Sequence, residues 1–123
     1  MQTRGSDRGV VTAETAVALP ALGLVTVLCM WAVAAVLLQL RCVDAARAGA
    51  RVGARGEPTT SVRAEAARVA PPGAVVRVEP DGADLVVDVR LAVGLPGPWA
   101  DALPALQVHG QAVAAMEPGL AGP

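Results

Sequence analysis

Lysine is missing from this chain: all ten basic residues are arginine. Phenylalanine and tyrosine are missing too, and tryptophan occurs only as Trp31 and Trp99. There is one histidine, His109, and the serines are Ser6 and Ser61. Each shortage excludes something. Without lysine there is no phosphate-binding loop of the P-loop kind. One histidine and two widely spaced cysteines give no metal-ligand spacing. Ser6 lies in a polar leader and Ser61 at an expected helix cap, so neither has a patterned base that would make it a nucleophile. We therefore expect no catalytic residue, no metal and no cofactor, and read the chain as non-enzymatic. A net charge of −1 gives no electrostatic footprint for nucleic acid, and no pattern suggests a small-molecule substrate. A core without Phe and Tyr must be built from Val, Leu and Ala, which bury less area per residue. At 123 residues the chain is expected to form one small unit rather than two independently folding domains.

The longest shortage is of charge. After Glu14 no charged residue occurs until Arg41. The uncharged run, 15–40, exceeds the roughly 20 apolar residues that a helix needs to cross a hydrocarbon core of about 30 Å. In lipid a helix satisfies its own backbone hydrogen bonds, so a spanning helix is expected. The competing reading, a buried core helix of a soluble domain, needs more chain to wrap it than is present. Pro20 inside the run removes a backbone bond and predicts a kink or a loosened turn. Glu14 at the edge of the run is costly if it enters the membrane, which makes it a functional candidate. It can also be a solvated helix start near the positive end of the dipole.

The residues RGVVTAETAVALPALG, followed by QLRCVDAARAGARVGARGE, resemble TadE-like minor pilins of tight-adherence (Flp) pilus systems, a type IV pilin-like family, in their actinobacterial form. A polar leader ends in Gly9, an acid follows at Glu14, and a long apolar helix comes next, which is similar to that family's class III signal. The resemblance covers most of the chain and is most specific over 8–57. It implies that a prepilin peptidase cuts between Gly9 and Val10 on the cytoplasmic side. It also implies that Glu14, fifth in the mature chain, helps register the subunit. A carboxylate–amine pair in low dielectric is favoured over either lone charge, in agreement with that role. The implied partners are the membrane, the peptidase, other pilin-like subunits and the pilus assembly platform. The implied location is the cell membrane, single-pass, with the N-terminus cytoplasmic and the remainder extracytoplasmic, reaching the cell surface after assembly. The implied function is structural, in a pilus or a related secretion system. The alternative is an uncleaved, signal-anchored accessory protein whose C-terminal part binds a partner. Four arginines directly after the run, Arg41, Arg47, Arg51 and Arg55, against Arg4 and Arg8 before it, favour the opposite orientation by the positive-inside rule.

The expected organisation is a leader at 1–9, a transmembrane and extended helix at 10–56, a small α+β domain at 57–117 and a disordered tail at 118–123. Past the membrane the arginines and Asp44 recur at three- and four-residue spacing on one helix face. Ala45, Gly49 and Gly53 line another face, and small residues at this spacing permit close packing, against a second pilin-like helix or against the chain's own sheet. Cys29 and Cys42 on one helix lie about 20 Å apart and cannot pair within the chain. Cys29 reads as a small apolar residue, whereas Cys42 at the far interface is a candidate for an intermolecular bond or a lipid. The helix should end near Gly56, with Pro58 beyond. Thr59, Thr60 and Ser61 offer an N-cap for a second helix over 62–69, stopped by Pro71-Pro72-Gly73. Period-two alternation then predicts strands over 74–79 and 85–93, joined by a turn centred on Asp81-Gly82. A proline-rich loop at 94–104 leads to a third strand with Leu106, Val108, Ala112, Ala114 and Met116 inward. Arg77, Asp88, Arg90 and His109 should face solvent. The fold class is therefore α+β: a long N-terminal helix, a short helix and a three-stranded antiparallel sheet.

Overall fold

A computed structural model describes residues 4–116, with side chains described for 7–116. The start of the expected leader and the expected 118–123 tail lie outside the described residues. The fold is α+β, with helices α1 (Arg4–Ala54) and α2 (Thr59–Val69) followed by strands β1 (Val75–Asp81), β2 (Asp84–Val93) and β3 (Leu106–Ala115). The chain divides into two compact units, Met1–Val33 and Ala34–Pro123.

In the first unit α1 begins at Arg4, inside the expected leader and ahead of the expected start at Val10, with Asp7 in its first turn. Extending an existing helix adds one hydrogen bond per residue fixed, so a strong apolar helix recruits a polar leader cheaply. An acid in the first turn also suits the dipole. The helix is continuous through Pro20.

The second unit holds the remainder of α1, α2 and an antiparallel sheet in the order β1-β2-β3. Val87 and Val89 on the central strand are fully buried, with Leu85 beside them. The period-two pattern of β2 thus faces its apolar residues to the helices. β3 places Val108 and Ala114 in the same core, while His109, Arg77 and Arg90 are exposed and Asp88 is half-buried on the opposite sheet face. The helical side of the core is built from Cys42, Ala45, Ala46 and Ala50 of α1 and from Val62 and Ala66 of α2.

Three local details differ from the expectation. The N-cap of α2 is Pro58, in extended conformation and without a side-chain cap bond. Its carbonyl accepts from the amides of Ser61 and Val62 at 2.9 and 3.2 Å. Thr59, Thr60 and Ser61 are therefore first-turn residues, and the helix starts three residues before the expected 62–69, because Pro58 with its fixed φ takes the capping position. The hairpin closes at the Asp81–Asp84 pair, which makes Gly82-Ala83 the two-residue loop. Only Gly82 has positive φ (63°) there, the signature of a type II′ turn with glycine at the first central position. Third, the 15–40 run is not uniform: Ala35 is buried and Leu38 packs on the core of the second unit. From Ala35 onward one face of α1 is covered, while Val36, Leu37 and Leu40 on its other faces stay exposed.

Candidate membrane anchor and helix–sheet seam

In the first unit, α1 presents large apolar side chains around its whole circumference. Val10, Val17, Leu19, Leu22, Val25, Leu28 and Val33 are all more than half exposed except Leu28, which is nearly so. A helix apolar on every side belongs in lipid or inside a large core, and α1 is long and apolar enough to cross a membrane. Its hydroxyls are already satisfied. Thr12, Thr15 and Thr26 each donate to the carbonyl four residues back, on Arg8, Val11 and Leu22, at 2.8, 2.9 and 2.8 Å. Polar groups that must enter hydrocarbon need such internal partners. Gly9, Val10, Glu14 and Pro20 all lie on this exposed helix. Val10 and Glu14 are one turn apart and share a face. A Cβ on Gly9 would meet nothing within 4 Å.

In the second unit the small residues of α1 have a definite role. A Cβ on Gly49 would sit 3.1 Å from both Ala66 Cβ and Val87 Cγ1 and 3.3 Å from the Val62 carbonyl oxygen. A Cβ on Gly53 would sit 2.6 Å from Leu85 Cδ2. Ala45 is fully buried beside them. The seam is filled by the chain's own α2 and β2, which answers the choice between a second helix and the sheet for these three positions. The tightest approach is on β3, where a Cβ on Gly110 would fall within the backbone of Cys42 and Val43. One residue earlier, Gln39 of α1 reads the edge of β3 with its side-chain amide. Its Oε1 accepts from the His109 amide at 2.9 Å, and its Nε2 donates to the His109 carbonyl. A strand edge carries unpaired backbone groups, and Gln39 satisfies both groups of one residue.

Gly110 and Gln39 were not singled out from the sequence. A glycine inside a strand pattern does signal close backbone approach, so Gly110 was open to detection. Gln39, the one amide in an apolar run, shows its purpose only once β3 lies beside it.

Cys42 is fully buried, directly under Gly110, and burial pushes its thiol pKa up. It is packed in the core rather than offered at an interface for a crosslink or a lipid, because the sheet covers the first turns of α1 beyond the uncharged run. Cys29 is exposed on the first unit.

Charged groups gather where α1 ends and α2 begins. Arg51, Arg55, Glu57, Ser61, Glu65 and Arg68 line one shallow groove. Arg55 pairs with Glu57 at 2.8 Å and Arg68 with Glu65 at 2.7 Å. The hydrogen bond from Arg68 holds the Glu65 carboxyl below its usual range, and Glu65 in turn raises Arg68. Exposed pairs of this kind contribute little to stability. Among the described residues no group of three or more His, Cys, Asp or Glu side chains is placed to hold a metal ion.

These features define a small α+β unit whose first helix also carries a segment long and apolar enough to cross a membrane. No family model matches the chain, and no solved structure matches it. The chain is similar to a Mycobacterium tuberculosis protein named Apoptosis inhibitor Rv3655c, with 41% identity over 106 residues that cover 86% of this chain and 78% of that protein. It belongs to the family of that protein.

Proposed function

We propose that this chain is a structural minor pilin or pseudopilin of a tight-adherence pilus or a related secretion system, cut between Gly9 and Val10 and assembled through its apolar helix. The observation that carries the reading is the order of features on one helix. A basic leader ends in Gly9, Glu14 follows one turn after Val10, and an uncovered apolar segment comes next. In this reading the leader is cytoplasmic and the C-terminal unit extracytoplasmic. The partners are the prepilin peptidase, other pilin-like subunits and the assembly platform. Arg41, Arg47, Arg51 and Arg55 argue for the reverse orientation, but they lie exposed on a folded unit, and folded domains translocate with less regard to charge than short loops do. The roles given to Glu14, in registering the subunit, and to Pro20, in bending the helix, belong to the same proposal.

The test is the N-terminal sequence and intact mass of membrane-extracted protein from cells with and without a prepilin peptidase. A chain starting at Val10 only when the peptidase is present supports the proposal and fixes the leader inside. A chain retaining Gly9 in both cells removes it and leaves the uncleaved, signal-anchored accessory protein in its place.

The relationship to a protein named for inhibition of apoptosis favours a second reading, in which this chain shares that effect. Production of the intact chain in mammalian cells treated with an apoptosis inducer tests it. Unchanged caspase activation relative to empty-vector cells removes that reading without touching the first.

A further inference from the structure

We propose that the loop at 94–105 is a second membrane contact, which seats Trp99 and Leu103 in the interfacial layer of a lipid bilayer. The inference rests on reading α1 as membrane-spanning. It does not depend on cleavage at Gly9 or on assembly.

Three observations carry it. The first is composition against exposure. β2 and β3 are neighbouring antiparallel strands, and such strands are ordinarily joined by about two to five residues. Here the connection runs from Val93 to Leu106. Leu95 is half-buried, but the large side chains further along are exposed: Trp99 is 62% exposed and Leu103 53%, and Leu106 at the start of β3, expected in the core, is left 44% exposed because it lies beyond the end of that core. The connection is nonetheless structured, since the Ala100 amide bonds the Gly97 carbonyl and the Ala102 amide bonds that of Trp99, at 3.2 and 3.0 Å.

The second is position within the C-terminal unit. Gly110 lies against Cys42 and Val43, and Ala114 is 3.8 Å from a Cβ placed on Gly53. From Gly110 to Ala114 the strand advances about 13 Å, and from Cys42 to Gly53 the helix advances about 16 Å. β3 therefore runs along α1 in the same sense. Four residues back from Gly110 the strand reaches Leu106, and the same distance of about 13 Å is about nine residues on the helix, which counted from Val43 reaches Ala34, where this unit begins. Ala35 is indeed buried. The 94–105 loop thus sits at the end of the unit where the apolar run enters. The opposite end, at the hairpin turn and the end of α1, carries Asp81, Asp84, Arg55 and Glu57. The two ends differ as a wet end and an interfacial end should.

The third is backbone chemistry. Pro96, Pro98 and Pro104 have no amide N–H, which reduces the donors left unsatisfied when a loop meets lipid. Tryptophan is the side chain most suited to the interface, with an apolar body and one polar N–H. Asp101 is the loop's one charged residue and would remain in headgroup water. With no cation in the loop, attraction to anionic lipid is not the driving force, and a zwitterionic bilayer suffices.

The experiment uses two full-length proteins, Trp31→Phe and Trp99→Phe, each reconstituted into phosphatidylcholine vesicles. A spin label is carried either near the head of the acyl chain or near its methyl end. In the Trp31→Phe protein, Trp99 is expected to emit to the blue of a water-exposed indole. It should lose intensity with the shallow label, lose less with the deep one, and keep its emission in aqueous iodide. The same results are expected when phosphatidylglycerol replaces part of the lipid. In the Trp99→Phe protein, Trp31, two residues before the first unit ends at Val33, should also be quenched, more by the shallow label than by the deep one. Trp99 open to iodide and untouched by either label overturns the loop proposal alone. Trp99 shielded from iodide yet unquenched by lipid labels also overturns it, in favour of a protein occupant. Trp31 unquenched by both labels overturns the membrane reading of α1, and the proposal with it.

Discussion

The two stretches of α1 are chemically opposite although they belong to one helix. Up to Val33 its large apolar side chains are mostly exposed; from Cys42 to Gly53 the side chains that meet α2 and the sheet are small and buried, while Asp44, Arg47 and Arg51 face outward. Size follows what lies outside the backbone. Where only lipid or solvent surrounds the helix, large side chains supply the apolar area that favours a membrane. Where α2 and the sheet approach, Ala and Gly leave the room. A sheet without Phe or Tyr cannot fill a wide gap, so α1 must come close. Gly110, Gly49 and Gly53 are the points at which it does.

The largest test of this contrast is Gly110→Val. Its branched side chain would occupy the backbone of Cys42 and Val43, so neither partner can yield by a rotamer change. Overpacking of this kind costs about 3 kcal/mol or more. The C-terminal unit is expected to lose its cooperative transition, or to melt far lower, by circular dichroism in detergent, while the helical signal of the apolar segment persists.

A matched pair of substitutions sharpens the contrast. Gly49→Leu enters a site already in contact with Ala66, Val87 and the Val62 carbonyl, and a loss of about 1–3 kcal/mol is expected. Gly23→Leu enters a site with nothing within 4 Å, where replacing glycine favours the helix by about 1 kcal/mol. Denaturant midpoints of the C-terminal unit should therefore fall for the first and stay unchanged for the second. Equal effects would mean that the two stretches do not differ as described.

The smallest effect concerns the cysteines. The Cys42 thiol is buried, and desolvation raises its pKa above the ordinary value of 9.0. The unfolded chain then gives up its proton first, so it binds fewer protons than the native state once the pH passes about 9, and stability falls as pH rises from there through the folded value. The slope is at most about 1.4 kcal/mol per pH unit. Melting of the protein against its Cys42→Ala variant between neutral and alkaline pH checks this: the excess alkaline loss should vanish in the variant. A slope unaltered by Cys42→Ala would place the titrating group elsewhere.

Much of the fold could be read from the chain because its periodicities do not overlap. β2 alternates residue by residue, and Leu85, Val87 and Val89 face the core as that alternation requires. Pro71-Pro72-Gly73 ends α2, with the Ala74 amide closing the turn on the Pro71 carbonyl at 3.2 Å. The errors came where two rules competed for the same residues. Thr59, Thr60 and Ser61 are favoured caps, yet the preceding Pro58 took the position. Asp81-Gly82 is a favoured hairpin centre, yet cross-strand register placed the loop one residue later. At the end of the apolar run, hydropathy cannot distinguish lipid from the chain's own sheet as the apolar neighbour.

The sequence by itself determined the order and type of the elements, the apolar segment and the face each strand turns inward, because these follow from local periodicity, charge and turn chemistry. It also carried the Gly9, Val10 and Glu14 pattern on which the functional proposal stands. Only the tertiary structure decided where the apolar run stops facing outward, why Gly110 and Gln39 are where they are, and that Cys42 is core. Those depend on residues seventy positions apart in the chain being brought within hydrogen-bonding distance, as Gln39 and His109 are, and no local pattern encodes which side chain will lie opposite.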